Sequence, residues 1–294
     1  MSTRVQSFKN WITTAAALLV ALSFYPQAAT AEEALVLGIF PRFAATAVHD
    51  AFDPLAKYLS GELGREVKIE TTKDQNSFAE AIATKRYDIV HFNQLNYIES
   101  HQSSGYDVVA INEEFGKGTV AGALVVRKDS GIKNISELRG KTIVFGGGPK
   151  AMVAYIANVV QLQKAGLKKG DYKEEFAKSP VNAMTAVFHK QAIAGGAGDI
   201  GLKQQAGNEV LDVDELSILA VGEQLPHLPW AVKTSLGAEL SKKIQDALLK
   251  VKVSKDGTEI LKAAHLTNLL PAKDADFEIV RRMIKDVAAD SGLK

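Results

Sequence analysis

The amino-acid sequence predicts an α/β protein of two lobes, each with a mostly parallel sheet flanked by helices. Short apolar runs typical of buried strands alternate with helical periodicity from residue 34 to residue 112. The same alternation restarts after the apolar run Ala121–Val126. No repeat, low-complexity segment or long polar linker separates the two segments, so we expect the lobes to be interleaved along the chain rather than strung in series.

The first lobe is predicted to begin with a strand at Ala34–Phe40, a continuous apolar run that ends at Pro41. A helix follows, because four apolar residues then share one helical face: Val48, Phe52, Leu55 and Leu59. The next predicted elements are a strand at Glu66–Thr72, a helix at Phe78–Ala83, a strand at Asp88–Phe92, a helix at Leu95–His101 and a strand at Asp107–Asn112. This order implies right-handed crossovers around a parallel sheet.

The second lobe is predicted from a similar series. Its elements are a turn-like helix at Ile135–Gly140, a strand at Lys141–Phe145, helices at Ala151–Lys164 and Val181–His189, a strand end at Asp199–Gly201 and a strand at Ser217–Val221. From Pro226 the pattern changes to a short apolar run at Trp230–Val232 and three helical stretches, Ala238–Val251, Thr258–Ala264 and Asp274–Ala289. We expect these last helices to pack back on the first lobe.

The composition excludes several classes of function. The chain has 294 residues, of which 46% are hydrophobic and 23% charged, as in a globular protein. Lys and Arg number 35 against 34 Asp and Glu, so there is no basic field to recruit nucleic acid. Cysteine is absent, which excludes disulfides, thiolate nucleophiles, iron–sulfur clusters and cysteine-ligated zinc.

Residues 1–31 have the pattern of a secretory signal peptide. Arg4 and Lys9 precede the apolar run Trp11–Phe24, and the small residues Ala29 and Ala31 predict cleavage after Ala31. The alternative, an uncleaved membrane anchor, is disfavoured because no stop-transfer charge cluster follows the run. Without cysteine there is no lipoprotein attachment site, so we expect a free protein in a Gram-negative periplasm. The remaining 263 residues have a net charge of −1, because the leader contains two basic residues and no acidic one.

A glycine-rich turn at Phe145–Ala151 lies between a predicted strand and a predicted helix. Backbone N–H groups there, at a helix N-terminus, suit an anion. The turn is not a P-loop, because Lys150 is followed by Ala rather than Ser or Thr. The alternative is an ordinary tight turn with Pro149 at the first helical position.

A second polar segment, Phe92–Tyr97, follows a predicted strand directly and places amides and an aromatic ring at a strand-to-helix junction. Such groups suit a small polar ligand. The alternative is a helix capped by Asn93 with Tyr97 packed inward.

The sequence shows no enzyme or metal pattern. Six histidines occur, and no two have the spacing that puts metal ligands on one helical face: His49, His91, His101, His189, His227 and His265. Only His91 follows a strand at the carboxyl edge of a sheet, although alternation equally places it in the core. Neither Ser179 nor Ser235 lies in a Gly-x-Ser-x-Gly elbow, and no carboxylate pair stands out as acid and base. We therefore expect no catalysis, cofactor or metal.

The mature sequence resembles the periplasmic substrate-binding proteins of phosphate, phosphite and phosphonate ABC transporters over nearly its whole length. The segments that show the resemblance are Leu37–Pro41, Asp53–Ser60, Leu63–Val67, Tyr87–Phe92 with Tyr97, Val125–Ile132, Glu137–Thr142, Ala183–Val187 and Leu225–Pro229.

This resemblance implies a type II periplasmic binding fold, with crossovers near Val126 and Gln224. Lobe 1 would comprise residues 32–125 and 225–294, and lobe 2 residues 126–224. A ligand would lie between the lobes, which close on it by hinge motion and present it to a permease in the inner membrane. We expect a monomer.

The sequence departs from the family pattern at the ligand site. The family usually has a Ser-Thr-Ser-Gly run at the N-terminus of the second-lobe helix, where this chain has Gly147–Met152 without a hydroxyl. A tyrosine common after the Asp of the second junction is replaced by Gln75, which follows Asp74. A histidine common before the next helix is replaced within Ser179–Asn182. Phosphonate binding in the usual manner is therefore not implied.

We expect a small oxyanion held between the lobes. The candidate contacts are Arg42, Phe43, Thr46, Asn93, Gln94, Tyr97, Gly147, Gly148, Lys150, Ala151, Ser179 and Asn182. Two alternatives remain at this point. One is a periplasmic sensor that acts with a membrane histidine kinase on a ligand other than a phosphonate. The other is an enzyme on a binding-protein scaffold, which requires a fixed acid/base pair.

Overall fold

The computed structural model of the chain describes residues 33–41, 44–205 and 211–291. The predicted signal peptide, with its cleavage after Ala31, lies outside these residues, and so do Arg42 and Phe43.

Eleven strands and nine helices follow one another in the described chain. The first half contains β1 (Leu35–Ile39), α1 (Ala45–Leu63), β2 (Val67–Glu70), α2 (Gln75–Ala83), β3 (Ile89–His91), α3 (Gln94–Ser104), β4 (Tyr106–Glu113), β5 (Thr119–Arg127) and β6 (Thr142–Gly146). A π-helical turn (Met152–Ile156) then continues into α4 (Ala157–Lys164). The rest contains β7 (Lys173–Ala177), α5 (Pro180–Phe188), β8 (Ala194–Gly198), α6 (Gly201–Gln204), β9 (Leu216–Pro226), β10 (Pro229–Lys233), α7 (Ala238–Lys250), α8 (Gly257–Ala263), β11 (Asn268–Pro271) and α9 (Glu278–Ser291).

The first lobe is built on a six-stranded sheet in the order β11-β4-β10-β3-β1-β2. β1 pairs in parallel with β2 and β3, and β10 lies antiparallel between β3 and β4. Because both β3 and β4 run against β10, they point in the same direction. Helices α1, α7 and α8 cover one face, where an apolar core includes Leu37, Phe52, Trp230, Ile244 and Leu261.

The second lobe is built on a five-stranded sheet in the order β7-β6-β8-β5-β9. β6 pairs in parallel with β7 and β8, and β5 pairs antiparallel with β8 and β9. In the first sheet, β10 and β11 therefore run against the other four strands, and in the second sheet β5 runs against the other four. The predicted two-lobed α/β class is confirmed, with sheets that are mixed where the sequence implied only parallel crossovers.

The chain passes between the sheets at residues 114–118 and again at residues 227–228. The second position is close to the predicted crossover near Gln224. The first lies well before the predicted crossover near Val126, because Val126 pairs with Ala194 and Ser217 inside the second sheet. An apolar strand has the same sequence pattern in either sheet, so the pattern does not show which sheet β5 joins.

Three strands were not predicted: β7, β8 and β11. The sequence of β8 is Ala-Gly-Gly-Ala-Gly, which has no β-branched residue, and the predicted strand end at Asp199–Gly201 is the turn into α6. Packing requires these glycines. A Cβ on Gly196 would lie 2.3 Å from the carbonyl oxygen of Ala154, and one on Gly195 would lie 3.2 Å from that of Ala183. Close approach of helices fixes β8 where strand propensity does not.

Helix α9 packs against both lobes. Its buried residues Val280, Met283 and Val287 share one apolar cluster with Tyr97 of α3 and Val160 of α4. The last three helices were expected to pack on the first lobe, and this one also contacts the second. None of the described helices has the length and apolar character needed to span a membrane.

Candidate functional site

A cavity of about 260 Å³ lies between the two sheets, at the carboxyl ends of β1, β3, β6, β7 and β8. The first lobe contributes Phe40, Pro41, Gln75, Asn93 and Gln94 to its lining. The second contributes Val120, Gly146, Gly147, Ala151–Ala154, Lys178–Val181, Met184, Gly198, Ile200, Gly201, Gln204 and Gln205. The crossovers contribute Glu114, His227 and Leu228. Ligands of open α/β sheets bind at such an edge.

Four helices of two turns or more begin at this cavity: α2, α3, α5 and the helix that starts with the π-turn. The one-turn α6 also begins there, at Gly201. A helix leaves its first N–H groups unpaired and has a partial positive charge at that end. In three of the four, a side chain accepts from one of these donors. Asp74 accepts from the N–H of Ser77 at 2.8 Å, Asn93 from that of Asn96 at 2.7 Å and Ser179 from that of Asn182 at 3.2 Å.

The fourth N-terminus, at Met152, has no side-chain cap, because the residue in the capping position is Ala151. Its first three N–H groups belong to Met152, Val153 and Ala154, which all line the cavity. Among these four N-termini, this one therefore has the most backbone donors left for a ligand.

The glycine turn before it requires glycine for two reasons. Gly147 and Gly148 both have φ of 85°, in the left-handed region that other residues rarely adopt. Gly146 has negative φ, but a Cβ on it would lie 2.3 Å from the backbone nitrogen of Pro180. The turn thus brings the π-turn and the N-terminus of α5 to the same side of the cavity.

A buried polar cluster lines the cavity where the chain crosses between the two sheets. The carboxylate of Glu114 accepts from Gln204 at 2.9 Å and lies 3.8 Å from Nε2 of His227. Nδ1 of His227 accepts from the N–H of Leu228 at 2.8 Å, which places the proton of a neutral ring on Nε2, facing Glu114. Glu114 and His227 lie on the two crossovers and Gln204 on α6, so the group joins both crossovers to the second lobe.

The structure brings five of the predicted contacts together in the cavity lining: Asn93, Gln94, Gly147, Ala151 and Ser179. Gln94 also donates to the carbonyl of Pro226 at 3.0 Å. The other described candidates, Thr46, Tyr97, Gly148, Lys150 and Asn182, lie outside that lining. Thr46 is exposed in the first turn of α1, and Lys150 lies with Nζ 4.0 Å from the carboxylate of Glu99, across the cleft.

Tyr97 is fully buried, and its hydroxyl donates to Asp274 at 2.8 Å. Burial raises the pKa of Tyr97, and the hydrogen bond to Asp274 raises it further. Burial disfavours the charge of Asp274, but hydrogen bonds from Arg281 and Tyr97 outweigh it and hold the pKa of Asp274 below its usual value. In this arrangement Tyr97 links α3 to the segment before α9.

Sequence reasoning missed Gln75, Glu114, His227, Gln204 and the residues Met152–Ala154. The pattern Asp74 before a helical run is a capping signal that would have placed Gln75 at an N-terminus. No local pattern marks Glu114 or His227, because they meet only through the crossovers. His91 is buried and stacks on Trp230, with ring centres 4.5 Å apart. Within the described ranges, no group of three or more His, Asp or Glu is placed to hold a metal ion.

Residues 37–277 match the sequence model of a family described as the periplasmic substrate-binding protein of phosphonate ABC transporters. Three solved structures share the fold. A binding protein component of an ABC phosphonate transporter from Pseudomonas aeruginosa is 17% identical, with a TM-score of 0.73 and coverage of 89% of this chain and 90% of that chain. PhnD1 from Prochlorococcus marinus, in complex with methylphosphonate, is 17% identical, with a TM-score of 0.75 and coverage of 86% and 98%. XAC2383 from Xanthomonas citri, bound to ATP, is 16% identical, with a TM-score of 0.75 and coverage of 88% and 99%.

At these identities the likeness shows the fold alone, which is that of the type II periplasmic binding proteins. One of these proteins was solved with methylphosphonate and another with ATP. The fold therefore does not identify the ligand. Its chemical class has to be argued from the groups that line the cavity.

Proposed function

The chain belongs to the family of periplasmic substrate-binding proteins of phosphonate ABC transporters. On that premise we propose that it captures a small oxyanion of the phosphonate, phosphite or phosphate type between its lobes, in the periplasm, and delivers it to an ABC transporter permease. The protein acts as a monomer and without catalysis.

The observation that carries this proposal is the uncapped helix N-terminus at Met152. The residues that contain its first N–H groups line the cavity, and the N-termini of α2, α3 and α5 border the same space. Converging N–H groups and helix dipoles stabilise an anion. Capped ends contribute less, because Asp74, Asn93 and Ser179 already accept from one donor each.

The side-chain charges in the described lining support amide-based binding. The ionisable side chains there are Glu114, Lys178 and His227. Lys178 is exposed, whereas Glu114 and His227 are 2% and 3% exposed. No arginine lines the described cavity, so backbone donors hold the oxyanion. Residues 147–152 have no hydroxyl, which removes the side-chain donors usual in the family.

A thermal-shift panel tests the proposal. Phosphate, phosphite, methylphosphonate, sulfate and arsenate are added separately, and at least one is expected to raise the melting temperature, because a ligand that binds only the native state stabilises it. Isothermal titration calorimetry then gives the Kd. A flat response across the panel would sink the proposal.

Substitution of Ala151 tests the site itself. An aspartate at this capping position accepts from the N–H groups that the oxyanion needs. Ala151→Asp is expected to stabilise the ligand-free protein by about 1 kcal/mol through capping, and to abolish the ligand-induced shift. Ala238→Asp is the matched control, since it adds the same charge to the first turn of α7, outside the cavity lining. Retained binding in Ala151→Asp would place the oxyanion elsewhere.

A further inference from the structure

The turn that begins at Met152 has an unusual backbone. The N–H of Ala157 donates to the carbonyl of Met152, five residues back, and the N–H of Ile156 donates to that of Ala151 at 3.1 Å. Such π-turns are rare, and they occur frequently at functional sites. This one contributes three residues to the cavity lining, so its shape decides where their N–H groups point.

A single buried amide is bonded to this turn. Asn158 has no exposed surface, and its Nδ2 donates to the carbonyls of Val153, Ala154 and Ala197, each at 3.1 Å. Its Oδ1 accepts from Gln161 at 2.9 Å, and Gln161 also donates to the carbonyl of Gly122 at 3.0 Å. The two side chains thus tie the π-turn to β8 and β5.

Glycines on β8 and β5 leave space for the carbonyl groups of Val153 and Ala154. A Cβ on Gly196 would lie 2.3 Å from the carbonyl oxygen of Ala154, and one on Gly122 would lie 3.0 Å from that of Val153. The strands leave room for the turn, and Asn158 supplies the hydrogen bonds that keep it there. Buried carbonyls without such donors destabilise a structure.

We propose that Asn158 is a positioning residue for the binding site. Its amide holds the π-turn in the shape that directs the N–H groups of Met152, Val153 and Ala154 into the cavity. This rests on the proposed function, because the cavity ligand is the oxyanion argued above. If the turn relaxed to an ordinary α-helix, the residues at its start would rotate by about 100° about the helix axis and the donors would turn away.

The test compares Asn158→Ala, which has no donor, with Asn158→Ser, whose hydroxyl retains one donor to the carbonyl four residues back. Gln245→Ala is the control, because Gln245 likewise donates its amide to a carbonyl, that of Val109 at 3.0 Å, outside the cavity lining. Titration with methylphosphonate is expected to show about tenfold weaker binding for Asn158→Ala and partial recovery for Asn158→Ser. Gln245→Ala is expected to bind as the wild type does, whatever its melting temperature.

Hydrogen exchange on the ligand-free proteins provides the second readout. Exchange in the peptide spanning residues 152–160 is expected to accelerate in Asn158→Ala and to stay unchanged in Gln245→Ala. Where Asn158→Ala fails to fold, Gln161→Met, which removes the bond to Oδ1 of Asn158, is measured in its place.

Two outcomes overturn the inference. One is unchanged hydrogen exchange in the 152–160 peptide of Asn158→Ala. The other is an affinity of Asn158→Ala for methylphosphonate equal to that of the wild type. A wild-type protein that binds no anion refutes the proposed function instead, and the exchange data then judge the role of Asn158 alone.

Discussion

Glu114 places a buried carboxyl group in the wall of the cavity. It is a buried carboxylate in a space bordered by helix N-termini, and it accepts hydrogen bonds from Gln204 and Asn112. A negative charge in the wall opposes an anionic ligand. Glu114 lies on the first crossover, where it faces His227.

Glu114→Gln is therefore expected to bind the oxyanion more tightly, by roughly fivefold, because a repulsive charge is removed while the side chain keeps its size. Calorimetric titration with methylphosphonate measures the change. Glu113→Gln makes the same charge change at the preceding residue, which lies outside the cavity lining, and is expected to leave the Kd close to that of the wild type. Weaker binding in Glu114→Gln alone would contradict this account.

At the scale of elements, capping determines the role of each helix. α2, α3 and α5 begin with Asp74, Asn93 and Ser179, whose side chains stabilise the helix at the expense of a ligand donor. The π-turn begins with Ala151 and leaves its donors open. At the other end of the first lobe, α9 is joined to α3 through Asp274, which accepts from Tyr97 and Arg281.

This junction predicts a pH dependence of stability. The pKa of Asp274 lies below its usual 3.8 in the folded protein, so its stabilising effect is full above pH 4 and is lost as the pH falls through the lowered value. Asp274→Asn is expected to lower the free energy of unfolding by about 1 kcal/mol at pH 7, a figure reduced for partial exposure, and by nothing at low pH.

Denaturant unfolding between pH 2 and 7 measures this difference. Asp256→Asn, at an exposed position with no side-chain capping bond, is the control and is expected to show no such trend. A difference that persisted at pH 2 would mean that Asp274 acts through packing rather than charge.

For the whole molecule, the arrangement of two lobes on two short crossovers implies a hinge. A second link between the lobes is the pair Lys150 and Glu99, which face each other across the cleft. Both side chains are about half exposed. An exposed ion pair contributes little to the free energy of folding, so both residues can be replaced by cysteine and carry spin labels. The chain has no native cysteine to interfere.

We expect methylphosphonate to close the cleft. Spin labels on Glu99→Cys and Lys150→Cys in one protein are expected to show a shorter, narrower distance distribution with the ligand than without it. A pair within the first lobe, Lys57→Cys and Lys262→Cys, serves as the control and should not move. An unchanged cleft distance despite measured binding would refute hinge closure.

Much of the fold was predictable, because strand and helix periodicity are local properties. The alternation from Ala34 to Asn112 and the restart after Val126 established two α/β segments. β8 was missed because its sequence is rich in glycine, which has low strand propensity, and those glycines are needed only where helices pack closely on the strand. β5 was divided between the two predicted lobes because its apolar sequence fits either sheet. Asn93, Gln94 and Gly147, which line the cavity, follow strands that the sequence predicted, whereas Ser179 follows β7, which it did not.

The sequence by itself determined the α/β class, the two-lobed organisation, the absence of cysteine chemistry and the family, since these depend on composition, periodicity and the order of motifs. Only the tertiary structure placed the uncapped N-terminus at Met152 beside the cavity, and it alone brought Glu114, His227 and Gln204 together. These residues are 90 or more positions apart or separated by a crossover, and Asn158 acts on carbonyls of another element. Contacts of that kind arise from packing and have no local sequence pattern.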